Sequence, residues 1–258
     1  MLNVLNTRLD GRRALVTGAS SGIGRATAQG LAGLGCDLAV VARRAERLEA
    51  LRRELAPTGV QVDTLAVDLS TPDAIARMDT AGFFDVDILI NNAGGALGKD
   101  AVATADVAEW RAMIDVNVTA AFLVTRAVVP RMLARGGGDI VAISSIAGHI
   151  PYEGGSVYCA TKHALRAFCT ALRRETAGQD LRVVQVSPGM VDTEFSAVRF
   201  RGDQTAADAV YAGMTPLSAE DVARQILWAL LQPRHVNLDE VMVMASAQGG
   251  VGKVVRRQ

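Results

Sequence analysis

Short apolar runs alternate with longer amphipathic stretches from one end of the chain to the other. The runs at 14–17, 38–41, 62–67, 88–90, 140–143 and 183–186 are short and rich in β-branched residues, as strands buried on both faces should be. Between them, residues 25–34, 46–55, 106–133 and 157–177 carry helical periodicity. Strand then helix, repeated, predicts parallel strands joined by crossover helices and a sheet covered on both faces. Arg135-Gly136-Gly137-Gly138 only ends a helix before the next strand. Late in the chain come a loop-like insert at 195–214, a helix opened by Ser218-Ala219-Glu220-Asp221, and a last strand near 241–243. No linker rich in Pro, Ser or Gly, no low-complexity tract and no internal repeat interrupts this order. One doubly wound α/β domain over residues 1–258 is expected.

The first strand runs straight into Gly18-Ala19-Ser20-Ser21-Gly22-Ile23-Gly24 and then a helix. In such a turn one glycine bends the chain, one lets backbone approach a pyrophosphate, and one packs helix on strand. The N–H groups and positive dipole end at the helix start then attract the phosphate. The spacing is G-x-x-x-G-x-G, and its place after an N-terminal strand favours a dinucleotide site over a mere tight turn.

The second strand ends in Ala42-Arg43-Arg44, where an NAD site would carry Asp or Glu for the adenosine ribose. Two guanidinium groups suit a 2′-phosphate in charge and in fork geometry, and cations at a helix start otherwise oppose the dipole. NADP(H) is the cofactor expected, with ordinary surface arginines as the bland alternative. Asp68 lies either beside the adenine or at a helix N-cap. Asn91-Asn92-Ala93-Gly94 closes the strand at 88–90, at the end where a cofactor crevice lies.

Composition narrows the field. Half of the 258 residues are hydrophobic and 21% charged, which excludes a disordered chain or a fibre. Lys+Arg and Asp+Glu balance at 27 each, leaving no net field to draw nucleic acid or an anionic membrane. Cys36, Cys159 and Cys169 lack metal-type spacing and are odd in number, against both a zinc site and a disulfide framework. No apolar run approaches the roughly 18 residues of a membrane span, and residues 1–10 hold no signal-peptide core. A cytoplasmic protein with no metal and no nucleic-acid or membrane partner is expected.

Tyr158-Cys159-Ala160-Thr161-Lys162 sets a phenol and an ammonium four residues apart, on one helical face. Free tyrosine titrates near 10 and is a poor acid–base group at neutral pH. A fixed cation about 4 Å away at an effective dielectric of about 20 is worth up to ~4 kcal/mol, which brings the phenol into a useful range. Ser144 and Ser145 close the strand at 140–143, where a hydroxyl could orient a carbonyl oxygen beside that phenol. Asn117 sits inside a helical pattern that disfavours it, and is either a solvated residue or part of a site.

Taken together, Gly18 to Gly24, Asn91 to Gly94, Ser145, Tyr158-x-x-x-Lys162 and Pro188-Gly189 resemble the short-chain dehydrogenase/reductase family over the whole chain, in its order and spacing. The resemblance implies a Rossmann-like fold and an NADP(H)-dependent oxidoreductase. It makes Tyr158 the general acid/base, with Lys162 lowering its pKa and binding the nicotinamide ribose. Ser145 holds the substrate oxygen and Asn117 supports a proton-relay water. Cofactor contacts then fall on Gly18, Ser20, Ser21, Gly22, Ile23 and Gly24, on Arg43, Arg44, Asp68 and Leu69, and on Asn91, Ala93 and Gly94. Tyr158, Lys162, Pro188, Gly189, Val191 and Thr193 complete them.

A closer likeness is carried by Gly94-Gly95-Ala96-Leu97-Gly98, Pro151-Tyr152-Glu153-Gly154-Gly155, Thr193-Glu194-Phe195-Ser196 and Pro233-Arg234-His235-Val236-Asn237. These resemble NADP-dependent 3-hydroxy acid dehydrogenases, which act on serine, allo-threonine and related acids or reduce semialdehydes. The segment at about 193–216 would then cover the substrate, with Tyr152 on the pocket wall and Arg199 reading a small anionic group; the alternative is a solvated loop arginine. Arg256 or Arg257 could contribute from a neighbouring subunit. The crossover between Asp68 and Asp87 looks slightly short, and an N-terminal extension precedes Gly11. The alternatives are a reductase of a larger neutral ketone or secondary-metabolite carbonyl, and a catalytically inactive dinucleotide-binding regulator. The helix at 157–177 is read as apolar nearly all round through Ala160, Ala164, Ala167 and Ala171, which predicts a homotetramer or homodimer. His149, His163 and His235 lack metal-ligand spacing, and Cys159 and Cys169 read as small core residues.

Overall fold

Six parallel pairings join seven strands, β1 (Arg13–Thr17), β2 (Asp37–Ala42), β3 (Val62–Ala66), β4 (Ile88–Asn91), β5 (Gly138–Ile143), β6 (Leu181–Pro188) and β7 (Glu240–Val243). They lie side by side in the order β3-β2-β1-β4-β5-β6-β7 in a computed structural model that describes residues 8–256. From β1 the chain winds outward through β2 and β3, then returns to the other side of β1 with β4. The two halves diverge at the C-terminal ends of β1 and β4, where an open α/β sheet forms its ligand crevice.

Between the edge strands β3 and β7, the strands are buried on both faces, so alternate residues feed two cores. Ala14, Val16, Val40, Ile88, Ile90 and Val186 pack under α1 (Gly22–Gly33), α2 (Ala45–Leu55) and α9 (Ala219–Leu230). Leu15, Val41, Leu89, Ile140, Ala142 and Val183 pack under α3 (Ala74–Thr80), α5 (Ala121–Ala134) and α6 (Ser156–Glu175). The expected opening of α9 is present as a capping box: Ser218 Oγ accepts from Asp221 N at 3.1 Å, and the Asp221 carboxylate accepts from Ser218 N at 2.8 Å.

Four features depart from the sequence expectation. The stretch expected as one helix at 106–133 is α4 (Val107–Ile114), a π-helical segment Asp115–Ala120, and α5. This continuous helix Val107–Ala134 is long and apolar enough to cross a membrane, contrary to the expectation that no such stretch exists. Its Val124, Val128 and Met132 are fully buried against the sheet. The insert is not a loop: it folds as α7 (Glu194–Arg199) and α8 (Gln204–Tyr211), capped by Thr193 and Asp203. Helix α6 is not apolar all round either, because Arg166 and His163 share an exposed face with Ala160, Ala167 and Ala171. A C-terminal hairpin, β8 (Gln248–Gly250) with β9 (Lys253–Val254), follows β7.

At the end of the sheet away from the crevice, Asp139, the second residue of β5, is 1% exposed. Its carboxylate accepts from Arg12 at 2.7 Å, Arg182 at 2.5 Å and Arg234 at 2.9 Å, tying β1, β5, β6 and the turn before β7 together.

Candidate active site

The turn after β1 is locked from the neighbouring strand. Thr17 Oγ1 accepts from Asn92 N at 3.0 Å and Ala93 N at 2.9 Å, and Asn92 Nδ2 donates to Thr17 O at 2.9 Å. Gly18 has φ +69°, and a Cβ there would stand 2.8 Å from Asn92 Nδ2. At Gly24 a Cβ would stand 2.5 Å from Gly18 O, so this glycine lets helix and turn touch. Ser21 caps α1 without a side-chain bond. The first N–H groups of α1, which have no intrahelical acceptors, therefore remain as donors for an anion.

Arg44 lies across that turn. Its guanidinium donates to Ser21 Oγ at 2.9 Å, Ser20 Oγ at 3.1 Å and Glu194 Oε2 at 2.9 Å. Arg47 bonds the other oxygen of Glu194. Asp68 accepts from Ser70 N at 3.0 Å and Ser70 Oγ at 2.8 Å. Burial opposes its ionisation, but the Ser70 bonds and the charge of Arg43 hold its carboxyl below the ordinary range.

Tyr158 and Lys162 project from α6 and both are buried. Burial pushes the Tyr158 phenol up, with the Ser145 hydroxyl acting in the opposite sense. Burial also brings the Lys162 ammonium down to about 8. Contrary to the expected lowering by Lys162, the phenol is held up by burial; Lys162 Nζ donates to Ile143 O at 2.8 Å and lies 5.9 Å from the Tyr158 ring centre, with no hydrogen bond between the two side chains. The carbonyl at the end of β5 thus takes a proton of the buried ammonium in a hydrogen bond. Ser145 Oγ accepts from Ala147 N at 3.1 Å. Ser144 Oγ, also buried, has no hydrogen-bond partner among the described residues.

Asn117 is 1% exposed, which removes the solvated reading. Its Oδ1 accepts from Gly95 N and its Nδ2 donates to Gly95 O, both at 2.8 Å, with a third bond to Thr161 Oγ1 at 3.1 Å. The π-helical segment delivers this amide to the loop after β4, a role such bulges often have at sites.

The far end of the crevice is built by the insert. Phe195 meets Tyr158 edge-on, ring centres 5.7 Å apart. One turn later, Arg199 lies 5.3 Å from the Tyr152 ring centre and 5.9 Å from that of Tyr158. It donates to Tyr152 Oη at 2.8 Å, Gly98 O at 3.1 Å and Gly154 O at 3.4 Å. The crevice encloses about 1230 Å³, above the roughly 300–1,000 Å³ of single small-ligand pockets and roomy enough for a dinucleotide plus a small substrate.

Of the expected residues, the fold brings all to this crevice except Gly24, Asn91 and Asn117. Asn91 is turned the other way: its Nδ2 donates to Ala121 O at 2.9 Å and Thr125 Oγ1 at 2.8 Å on α5. Successive strand residues face opposite sides, so it is Asn92, one residue on, that clasps the turn. Sequence reasoning gave no role to Glu194 or to Gln248. Gln248 Oε1 accepts from Met190 N at 2.9 Å, and Arg256 donates to Val210 O at 3.0 Å on the insert. Arg256 thus lines its own chain's crevice, while Arg257 lies outside the described residues. A pair of adjacent amides was a signal for Asn92; nothing local marked Gln248.

The family model described as short chain dehydrogenase matches residues 12–204. The chain is 44% identical over 258 residues to an NADP-dependent 3-hydroxy acid dehydrogenase of Schizosaccharomyces pombe, covering 98% of this chain and 99% of that protein. It is 40% identical over 247 residues to a serine 3-dehydrogenase of Agrobacterium fabrum, covering 95% and 98%. The solved closed form of serine dehydrogenase complexed with NADP+ superimposes with a TM-score of 0.89 at 38% identity, over 95% of this chain and all of that one.

Proposed function

This chain belongs to the short-chain dehydrogenase family, and on that premise we propose that it is an NADP(H)-dependent oxidoreductase interconverting a small 3-hydroxy acid, such as serine, and the matching carbonyl compound. The observation that carries the substrate reading is the Arg199 guanidinium, set between the rings of Tyr152 and Tyr158. Its partners there are a phenol and two backbone carbonyls, and it forms no ion pair among the described residues. A cation so placed suits a carboxylate whose hydroxyl lies beside the Tyr158 phenol.

The donor set fits the dinucleotide. The turn at Gly18, Ser20, Ser21, Gly22 and Ile23 would hold its pyrophosphate, and Arg43 and Arg44 its 2′-phosphate. Asp68 and Leu69 would flank the adenine. Ala93, Gly94, Pro188, Gly189, Val191 and Thr193 would line the nicotinamide half. When bound, NADP(H) gives up or accepts the hydride. Tyr158 Oη then supplies the proton to a carbonyl oxygen in reduction, or takes it from the hydroxyl in oxidation, and Ser145 Oγ holds that oxygen. Lys162 keeps a buried cation beside the reacting groups, and Asn117 fixes the loop at Gly95 and the water-relay side of the site. Residues 193–216 form the cover over the substrate.

We also infer a homodimer or homotetramer acting in the cytoplasm. Support comes from the small exposed residues Ala160, Ala167 and Ala171 on α6 and from three unpaired cysteine thiols. Light scattering at micromolar concentration reads the mass directly, and a monomer would overturn the oligomer.

The deciding assay offers 3-hydroxy acids, their methyl esters and bulky ketones with NADP(H) and NAD(H). Turnover of the acids with NADP+ is the expected result. A preference for NAD+, or for bulky neutral ketones over acids, would remove the cofactor or the substrate reading respectively.

A further inference from the structure

The carboxylate of Glu194 stands at the mouth of the crevice, at the first position of α7, on two of the arginines that follow β2. Thr193, the residue before it, lies against the phosphate turn: a Cβ on Gly22 would be 3.3 Å from Thr193 Cγ2. Glu194 reaches Arg44 Nη1 at 2.9 Å, while the Nη2 and Nε edges of the same guanidinium are taken by the hydroxyls of Ser20 and Ser21. Every nitrogen of the Arg44 guanidinium is therefore engaged. Nothing in the hydride chemistry uses Glu194.

Resting on the NADP(H) reading above, we propose that Glu194 is a cofactor-specificity residue, an internal competitor with a 2′-phosphate for the Arg44 guanidinium. The asymmetry among the three partners of Arg44 decides which one yields. A serine hydroxyl can rotate and donate to a phosphate oxygen, so Ser20 and Ser21 can stay beside the arginine and join the phosphate. A carboxylate accepts only, and it repels a dianion held by the same cation. Glu194 is the partner that has to leave. Its side chain is 43% exposed, so water can take over its solvation once it is displaced. Bonds from Arg47 and Arg44 hold its carboxyl below the ordinary range although burial opposes this, so it is an anion at neutral pH.

NAD(H) lacks the 2′-phosphate and leaves the bridge intact. The competition therefore weakens NADP(H) alone, and Glu194 lowers the discrimination that Arg43 and Arg44 would otherwise impose. Glu194 thus acts through Arg44, as a positioning residue, and the readout that distinguishes it from a merely structural residue is the ratio of two binding constants.

The test is direct titration of NADPH and NADH, followed by nicotinamide fluorescence, on wild type, Glu194→Gln, Arg44→Ala and the double variant. Glu194→Gln is expected to tighten NADPH by about two- to fivefold, the range of one exposed ion pair, and to leave NADH within about twofold. On the Arg44→Ala background the same change should fall below about twofold for both cofactors. Weaker or unaltered NADPH binding in Glu194→Gln, equal shifts for both cofactors, or a full effect persisting without Arg44 would each overturn the competition. Should Arg44→Ala by itself leave the NADPH to NADH ratio unchanged, the phosphate assignment beneath the proposal fails, and the proposal with it.

Discussion

Arg199 holds Tyr152 in two ways at once, donating to its hydroxyl at 2.8 Å while its guanidinium carbon lies 5.3 Å from the ring centre. The planar fork is fixed by these contacts before any substrate carboxylate arrives, so little side-chain freedom remains to be lost on binding. Arg199→Ala should lower kcat/KM for a 3-hydroxy acid by the equivalent of roughly 1.5–3 kcal/mol, the scale of a hydrogen bond to a charged group. The methyl ester of the same acid should be spared. Equal losses on acid and ester would mean that Arg199 only supports the insert.

Tyr158→Phe should bind NADPH as wild type does and lose about 10²–10⁴-fold in kcat, because a proton donor used in the transition state is gone. Retention of more than about a tenth of wild-type kcat would reject the role. Burial raises the phenol, so it stays protonated at neutral pH and is ready as the acid for reduction. Oxidation needs the phenolate. Its kcat/KM should climb with alkaline pH while the reductive value is flat near neutrality, and matching profiles in the two directions would contradict this assignment.

Lys162 titrates at about 8 because burial penalises its charge, against an ordinary 10.5. Below pH 8 the folded chain carries a buried cation that the unfolded chain solvates, and the full cost is present. Between 8 and 10.5 the unfolded chain binds more protons than the folded one, so stability rises with pH across that window. Lys162→Met should therefore be inactive yet more stable than wild type at pH 7, by no more than about 3 kcal/mol. Thermal unfolding followed from pH 7 to 11 should show the gap closing as pH passes that window. A gap that is constant with pH would place its origin elsewhere.

Asp139 faces the guanidinium groups of Arg12, Arg182 and Arg234, and Arg182 is itself 5% exposed on its side chain. Asp139→Asn leaves that cluster uncompensated and should cost about 3–5 kcal/mol of folding stability. Denaturant unfolding measures the loss. Asp139 lies at the opposite end of β5 from Ser145, so the NADPH affinity of the folded fraction should not move. A stability change under about 1 kcal/mol would show that the three arginines are adequately solvated without it.

Local order explains what could be read from residue pattern alone. The strand at 14–17 and the glycine turn after it are properties of neighbours a few residues apart, and β1 and α1 appear where they were expected. The four-residue spacing of Tyr158 and Lys162 likewise guarantees one helical face. Those spacings, with Ser145 and the arginines after β2, also carried the family and its cofactor.

Other features depended on which elements cross. Asn91 and Asn92 are chemically identical, and only the pleat at the end of β4 decides that one turns to α5 and the other to the phosphate turn. Arg44 and Glu194 are 150 positions apart, and no periodicity links them. The insert reads as a loop because α7 and α8 are short and partly exposed, their stability coming from contacts with Tyr152, Tyr158 and the tail at Arg256. Lys162 was expected to lower the phenol's pKa; instead its ammonium bonds Ile143 O at the end of β5, and burial holds the phenol up. Sequence by itself determined the central strands, the glycine turn and the helical face shared by Tyr158 and Lys162, because each is encoded within a helical turn or a strand's length. The tertiary structure alone decided the partners of Arg44, Asn91, Asn117 and Arg199, because a buried polar atom bonds whatever the packing of distant segments brings within about 3 Å.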